Sequence, residues 1–288
     1  MRTAFFRNEN QENLTSSLPE EHFFDRIEDK YVLNTNLLPQ LLERIANIMP
    51  PFYNNGSDAT YTLIESIYFD SLSLEFYQHH LKELPIRYKM RVRRYAPGGV
   101  WDTETLFYEV KKKEMEKSKK IRFVISEHDL AKLKKGFAPT FSKELLMINA
   151  KLGEEKLYTR VSKAQKLYEK YSLVPSIKIS YLRHAFELND IRVTIDYNIT
   201  SNFLLLKSDL KVNKLENSGD SILNNKILSD KISEISNKYC VQNIAVMEIK
   251  HKQIGEFPDR IRDLLIQFNL NKVSFSKYVH SVSQVISS

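Results

Sequence analysis

Between Pro85 and Tyr95 the chain reads PIRYKMRVRRY, and its side chains sort by parity. As a strand, it turns Arg87, Lys89, Arg91 and Arg93 to one face and Ile86, Tyr88, Met90 and Val92 to the other. The apolar set is a core face. The other is a row of cations spaced about 7 Å apart, two residues of strand rise each. Like charges in line repel. Such a row belongs either to an anion lying along it or to an edge strand guarded by basic residues, and this stretch alone leaves both open.

Period-two alternation recurs elsewhere. DRIEDKYVL (25–33) puts Arg26, Glu28, Lys30 and Val32 on one face, with Ile27, Tyr31 and Leu33 opposite. Strands are also predicted for 60–68, 105–113, 120–125, 176–185, 191–197 and 245–252. Helical spacing predicts helices over 34–49 (stopped by Pro50-Pro51), 72–83, 141–153 and 154–171, with Leu157, Val161, Ala164, Leu167 and Tyr171 inward. Another begins at Ser126-Glu127-His128-Asp129, a capping-box pattern, and stops at Gly136. A helix opened by Pro258 and a last one over 276–286 follow. His79 and His80 are adjacent on a helix, so they do not share a face and are expected in solvent. Residues 1–22 read as a disordered lead-in to one domain over 23–288. Residues 53–58 and 207–225 read as loops, and 222–236 as a weak helix.

Composition narrows the chemistry. The 288 residues carry a net charge of +7, favouring polyanionic partners. The single cysteine, Cys240, excludes an internal disulfide and reads as a small buried residue. That usage fits a cytoplasmic location. No apolar run is long enough to span a bilayer, and residues 1–22 have no signal-peptide core. With seven glycines there is no GxGxxG or Walker A loop, and no HExxH or CxxC. Phosphates, if bound, must be held by side chains.

Three strands repeat one pattern: Glu28-x-Lys30, Glu109-x-Lys111 and Glu248-x-Lys250. Arg91, Arg93, Lys120, Arg122, Arg183 and Arg192 lie on further strand-like segments. Each strand thus has an apolar face and a charged face. If the sheet curls into an α+β antiparallel barrel of about eight strands, helices coat the apolar outside and the charges line the lumen. Like charges collected there require compensation, and a polyanion with a divalent metal held by glutamates supplies it.

The segments DRIEDKYV, KMRVRRY, FYEVKKKE, KKIRF, SYLRHAF, RVTIDYN, VMEIK and FSKY, in that order over about Phe24–Tyr278, resemble the VTC domain. This is the polyphosphate polymerase domain of the vacuolar transporter chaperone and its bacterial relatives, in the triphosphate tunnel (CYTH-like) superfamily. The resemblance implies a helix-coated β-barrel tunnel that moves the γ-phosphate of ATP onto inorganic polyphosphate with Mn²⁺ or Mg²⁺. It places Lys30, Arg91, Arg93, Lys111, Arg183, Arg192 and Lys250 at the family's phosphate-binding positions, and Glu248 at its metal-binding glutamate. Lys120, sharing parity with Arg122, is preferred to Lys119 for the next strand's lysine. Tyr181 matches a tunnel tyrosine. Ser276 and Lys277 match the end of a KxSK stretch whose first lysine is Ser274 here, with Lys272 two residues earlier. Lys89 extends the basic row as a further substrate contact. Glu28 and Glu109 are candidate second metal ligands, or orient neighbouring lysines.

Two other activities fit the same residues: hydrolysis of a triphosphate, and binding of polyphosphate without turnover. The excess of Lys and Arg over carboxylate favours the polymerase over hydrolysis. No aromatics interleave with the basic strands as in an RNA-binding sheet, so no nucleic acid is expected. With no membrane span of its own, a membrane protein partner for polymer export is left open.

Overall fold

The structure is a computed structural model that describes residues 26–52, 59–101, 105–115, 117–205, 239–252 and 259–287. The expected lead-in over 1–22, the loops at 53–58 and 207–225, the weak helix at 222–236, Pro258 and the Cys240 side chain lie outside the described residues.

One antiparallel sheet carries the fold. Its strands are β1 Arg26–Asn34, β2 Thr62–Asp70, β3 Ile86–Pro97, β4 Leu106–Glu114, β5 Lys117–Ile125, β6 Val174–Leu188, β7 Ile191–Phe203, β8 Tyr239–Gln242 and β9 Ile244–Lys252. Their order is β1-β9-β7-β6-β2-β3-β4-β5, with β8 paired to β7. Among the described residues no ladder joins β1 to β5, so the sheet is a half-barrel. Its curl is fixed by a contact across the hollow: Lys111 on β4 reaches Glu28 on β1 at 3.3 Å, although five strands separate them in the sheet.

Among the described residues, seven helices pack against it: α1 Leu38–Ala46, α2 Glu75–Leu81, α3 Glu127–Lys134, α4 Lys143–Ile148, α5 Glu154–Lys170, α6 Asp259–Gln267 and α7 Lys277–Ser287. The convex face behaves as the alternation dictates. Met90, Val92, Tyr108, Val110 and Phe123 pack beneath α3, α4 and α5. Tyr31, Leu33, Val193, Ile195, Met247 and Ile249 pack beneath α1 and α6. Each such fully buried side chain contributes about 1.5–3 kcal/mol. In α5, Leu157, Val161 and Ala164 are buried as expected, joined by Arg160 and Tyr168.

A third apolar cluster occupies the concave face. Tyr68, Ile177, Ile179, Ile199 and Val246 pack on Tyr278, Val282 and Val285 of α7. The last helix therefore lies inside the curl, where sequence patterning had placed every helix outside. Its amphipathic period reports a buried stripe, not the side of the sheet that covers it.

Both sheet edges are covered. Val273 N–H donates to Lys30 C=O along β1. Beyond β5, the Asn149 side chain accepts from Val124 N–H and donates to Val124 C=O, at 2.8 and 2.9 Å, and Arg160 donates to Arg122 C=O. Side chains thus stand in for the missing strand. This use of Asn149 divides the helix expected over 141–153 into α4 and a 3₁₀ turn at Ala150–Leu152.

Other local differences have visible causes. The capping box forms as read, with Ser126 accepting from Asp129 N–H and Asp129 from Ser126 N–H. Helix α2 starts at Glu75, not residue 72, because Leu74 sits at φ 56. Its first amides are capped by the buried Asp70, which accepts from Phe76 and Tyr77. His79 and His80 are half-buried against β3 and Tyr171 instead of in solvent. Burial, with Lys89 and Arg87 nearby, lowers the His80 pKa to about 3. Strand β7 runs on to Phe203, and β8 was missed, being only four residues long.

Candidate functional site

Register brings the charged parity of seven strands onto the concave face. Arg91 stands opposite Glu109, Lys89 opposite Lys111, and these opposite Arg122 and Lys120. On the other side Arg183 faces Asp196, Thr194 faces Glu248, and Glu28 faces Lys250.

Three ionic groups result. In the first, buried Glu109 holds three cations: Arg91 and Lys120 approach at 2.7 and 2.6 Å, and Arg122 at 3.4 Å. Burial raises the Glu109 pKa, but Arg91 and Lys120 outweigh it and hold the carboxyl well below its usual range. Arg91 also donates to Tyr68 Oη at 3.0 Å. Lys120 is pushed down to about 8 by burial; Glu109 opposes the shift, while Arg91 and Arg122 reinforce it. Lys120 is thus the lumenal lysine. Lys119 stands opposite Lys112 on the other face.

In the second group, Asp196 receives Arg183 through two bonds of 2.5 and 2.7 Å and Lys277 at 2.5 Å. Lys277 thereby fastens α7 to β7. Tyr181 faces inward, within 5.5 Å of Arg183 and 4.9 Å of Lys277. Ser276 caps α7, accepting from Val279 N–H at 3.4 Å, and has no ionic partner among the described residues.

In the third group, Glu28 and Glu248 are diagonal neighbours on β1 and β9, Glu28 opposite Lys250 and Glu248 opposite Lys30. Lys250 lies 3.0 Å from Glu248, and Lys30 and Lys111 lie 3.9 and 3.3 Å from Glu28. Burial opposes ionisation of Glu248, but Lys250 foremost holds it well below the usual carboxylate range. Lys30 also donates to Phe275 C=O at 3.1 Å, a contact made by the segment that includes Ser274. Among the described residues no cluster of three or more His, Cys, Asp or Glu forms. Glu109, occupied by its three cations, stands apart from this carboxylate pair.

Two cations at the centre lack a carboxylate among the described residues. Arg93 is 6% exposed; its Nε donates to Ser66 Oγ at 2.9 Å and its guanidinium lies 5.9 Å from the rings of Tyr95 and Tyr181. Lys89 is half-buried, and its pKa is held well below normal by burial first and by Lys30 and Lys111 next. Burial raises the Tyr95 hydroxyl, but Arg93 and other cations bring it down to about 8. Arg192 lies farther out, over the Phe52 ring at 4.3 Å and 4.0 Å from Glu187.

All the candidate side chains except Ser276 therefore join one ionic surface. Sequence reading missed Asp196, Ser66, Tyr68 and Tyr95 as members. Asp196 shares parity with Arg192, and Tyr95 with Arg93, so the signal was present; nothing in the spacing tells that Ser66 and Tyr68 face inward.

A curled antiparallel sheet with a charged, cation-rich hollow defines a tunnel-type architecture. The sequence matches the VTC domain over residues 25–286, and the chain belongs to that family. Solved structures similar to it include the PH1819 protein of Pyrococcus horikoshii (11% identity, TM-score 0.42, 90% of this chain and 98% of that one). Others are putative adenylate cyclases of Bacillus halodurans (10%, 0.48, 87% and 93%) and Vibrio parahaemolyticus (12%, 0.41, 92% and 98%). No curated protein matches the sequence. No helix among the described residues is long and apolar enough to cross a membrane.

Proposed function

We propose that the chain is a metal-dependent polyphosphate polymerase that transfers the γ-phosphate of ATP to inorganic polyphosphate. The observation that carries this reading is Arg93: a buried guanidinium that, among the described residues, has a hydroxyl and aromatic rings as its contacts and no carboxylate at ion-pair distance. A charge removed from water without a counter-ion costs several kcal/mol. A phosphate chain along the row Lys89, Arg91 and Arg93 offsets that cost with charge-assisted bonds.

The terminal phosphate of polyphosphate is already ionised, so no general base is needed. Its oxygen bonds to the γ-phosphorus as the bridge to the β-phosphate breaks, and ADP departs with the bonding pair. Arg91, Arg93 and Arg183 clamp the phosphates in line. Lys30, Lys111, Lys120, Arg122 and Lys250 neutralise charge on the transferring group and the product. Arg192, Tyr181 and Lys277 border the clamp. Ser276 acts indirectly, by holding the start of α7.

Glu28 and Glu248 are neighbouring lumenal carboxylates whose partners are lysines, Lys30 and Lys111 on one and Lys250 on the other. By donor chemistry they would hold Mg²⁺ or Mn²⁺, which takes one or two carboxylates together with phosphate oxygens. When bound, the ion supplies charge stabilisation at the phosphate oxygens. In this reading Glu109 positions Arg91 and Lys120 and is not a ligand.

Incubation with ATP and Mn²⁺, followed by gel separation, tests the proposal. It predicts ADP and long polyphosphate in step. Free phosphate with ADP and no polymer assigns hydrolysis instead, and polyphosphate binding with no ADP assigns a non-catalytic binder.

A further inference from the structure

The end of the molecule where α2 turns into β3 carries an exposed surface that phosphate chemistry does not explain. Leu81, Leu84, Ile86 and Met115 are 55%, 36%, 43% and 73% exposed. They belong to one tip: Met115 N–H donates to Pro85 C=O at 2.8 Å, and Ile86 stands opposite Glu114. Single exposed apolar residues are ordinary, but a contiguous group marks an interaction surface.

Backbone conformation adds an independent sign. Glu83 and Met115 both lie in the left-handed region, at φ 50 and 51. Glycine or asparagine is the usual occupant there. Two adjoining turns are thus held in a costly conformation, and one of them displays a methionine to solvent.

Charge identifies the occupant. Lys117 and Lys119 are exposed beside these side chains, and the Glu114 opposite Lys117 is already paired with Lys112 at 2.9 Å. A polyphosphate chain would use the lysines but gains nothing from Leu84 or Met115. A protruding apolar tip flanked by lysines suits an anionic lipid surface, with the apolar groups inserted at the interface and the lysines among the headgroups.

We propose that this tip docks the protein on an anionic bilayer. The Lys89–Lys111 pair lies three residues farther along β3 and β4, so docking sets this end of the cationic hollow against the membrane. The proposal holds whether or not the chain polymerises phosphate.

The test is flotation of the full chain with vesicles of phosphatidylglycerol and phosphatidylcholine, against phosphatidylcholine alone. Two double variants serve: Leu84→Ser with Met115→Asn, where asparagine tolerates the left-handed backbone, and Lys117→Glu with Lys119→Glu. Thermal melting and tripolyphosphate binding report on fold and hollow. The native chain floats with the anionic vesicles only, and each variant lowers its partition at least about tenfold while melting and tripolyphosphate binding stay unchanged. No flotation, or equal flotation of native chain and variants, overturns the proposal. So does a lysine variant that weakens long-polyphosphate binding without changing flotation, or apolar-dependent self-association in place of vesicle binding.

Discussion

Arg91 and Glu109 stand directly opposite each other in the β3–β4 ladder, and one carboxylate oxygen accepts from both Nε and Nη2 at 2.7 Å. The other oxygen faces Lys120 and Arg122. One acid on β4 thus fixes three cations of the two neighbouring strands, β3 and β5. Glu109→Gln leaves buried cations without their counter-charge and should destabilise the fold by about 3–5 kcal/mol, measured by denaturant titration. Because the folded-state pKa of Glu109 is depressed, its stabilisation is complete above the ordinary carboxylate range and is lost as pH falls through the depressed value. The native-minus-variant difference should therefore shrink on acidification. A constant difference would show that the charge is not responsible.

Helix α7 is fastened to the concave face by Lys277 on Asp196 and by Tyr278 on Asp70, each at 2.5 Å. Tyr278→Phe removes one hydrogen bond to a buried carboxylate, at a cost of about 1.5–3 kcal/mol. Hydrogen exchange should quicken over 277–287 in this variant and in Asp196→Asn, with little change over α5. Uniform quickening would mean that the helix opens only with the whole fold.

Glu248→Gln should leave tripolyphosphate affinity without metal within about threefold of native, because no phosphate-clamping cation is removed. Mn²⁺-dependent turnover should fall at least about a hundredfold, the scale of losing a group that stabilises transferring charge. Mn²⁺ affinity, measured directly by calorimetry, should weaken in parallel. Unchanged Mn²⁺ binding would move the ion away from this carboxylate pair.

Lys120 carries a pKa of about 8. It is charged below that value, so tripolyphosphate affinity should be flat on the acidic side and decline as pH rises through about 8, where binding begins to require proton uptake. Lys120→Arg keeps its charge throughout and should remove the decline. If native and variant fall together, another group is titrating; Tyr95, at about 8, is the first to examine through Tyr95→Phe.

The architecture was legible because period-two alternation is stringent. A strand with Met90 and Val92 on one side must present Arg91 and Arg93 on the other, and the same holds for β1, β4 and β9. Placement of α7 was not legible. Val279, Val282 and Ile286 describe an apolar stripe that fits either side of the sheet, and only Tyr68 and Ile177 across from it decide which. Asp196 shares the parity of Arg192, but its place opposite Arg183 depends on a bulge near Ser180 that alternation does not show. The half-buried histidines were misread because helix spacing alone does not show that α2 rests on β3.

Calorimetry of tripolyphosphate binding to the native chain and to Arg93→Gln, without metal and at two salt concentrations, tests the anion site most directly. The native protein should bind with an affinity that falls steeply with salt, and the variant should bind at least about 30-fold more weakly, the loss of a charge-assisted bond at a buried cation. Equal affinity in the two proteins would contradict the assignment of the buried guanidinium to phosphate, and with it the proposed phosphate channel.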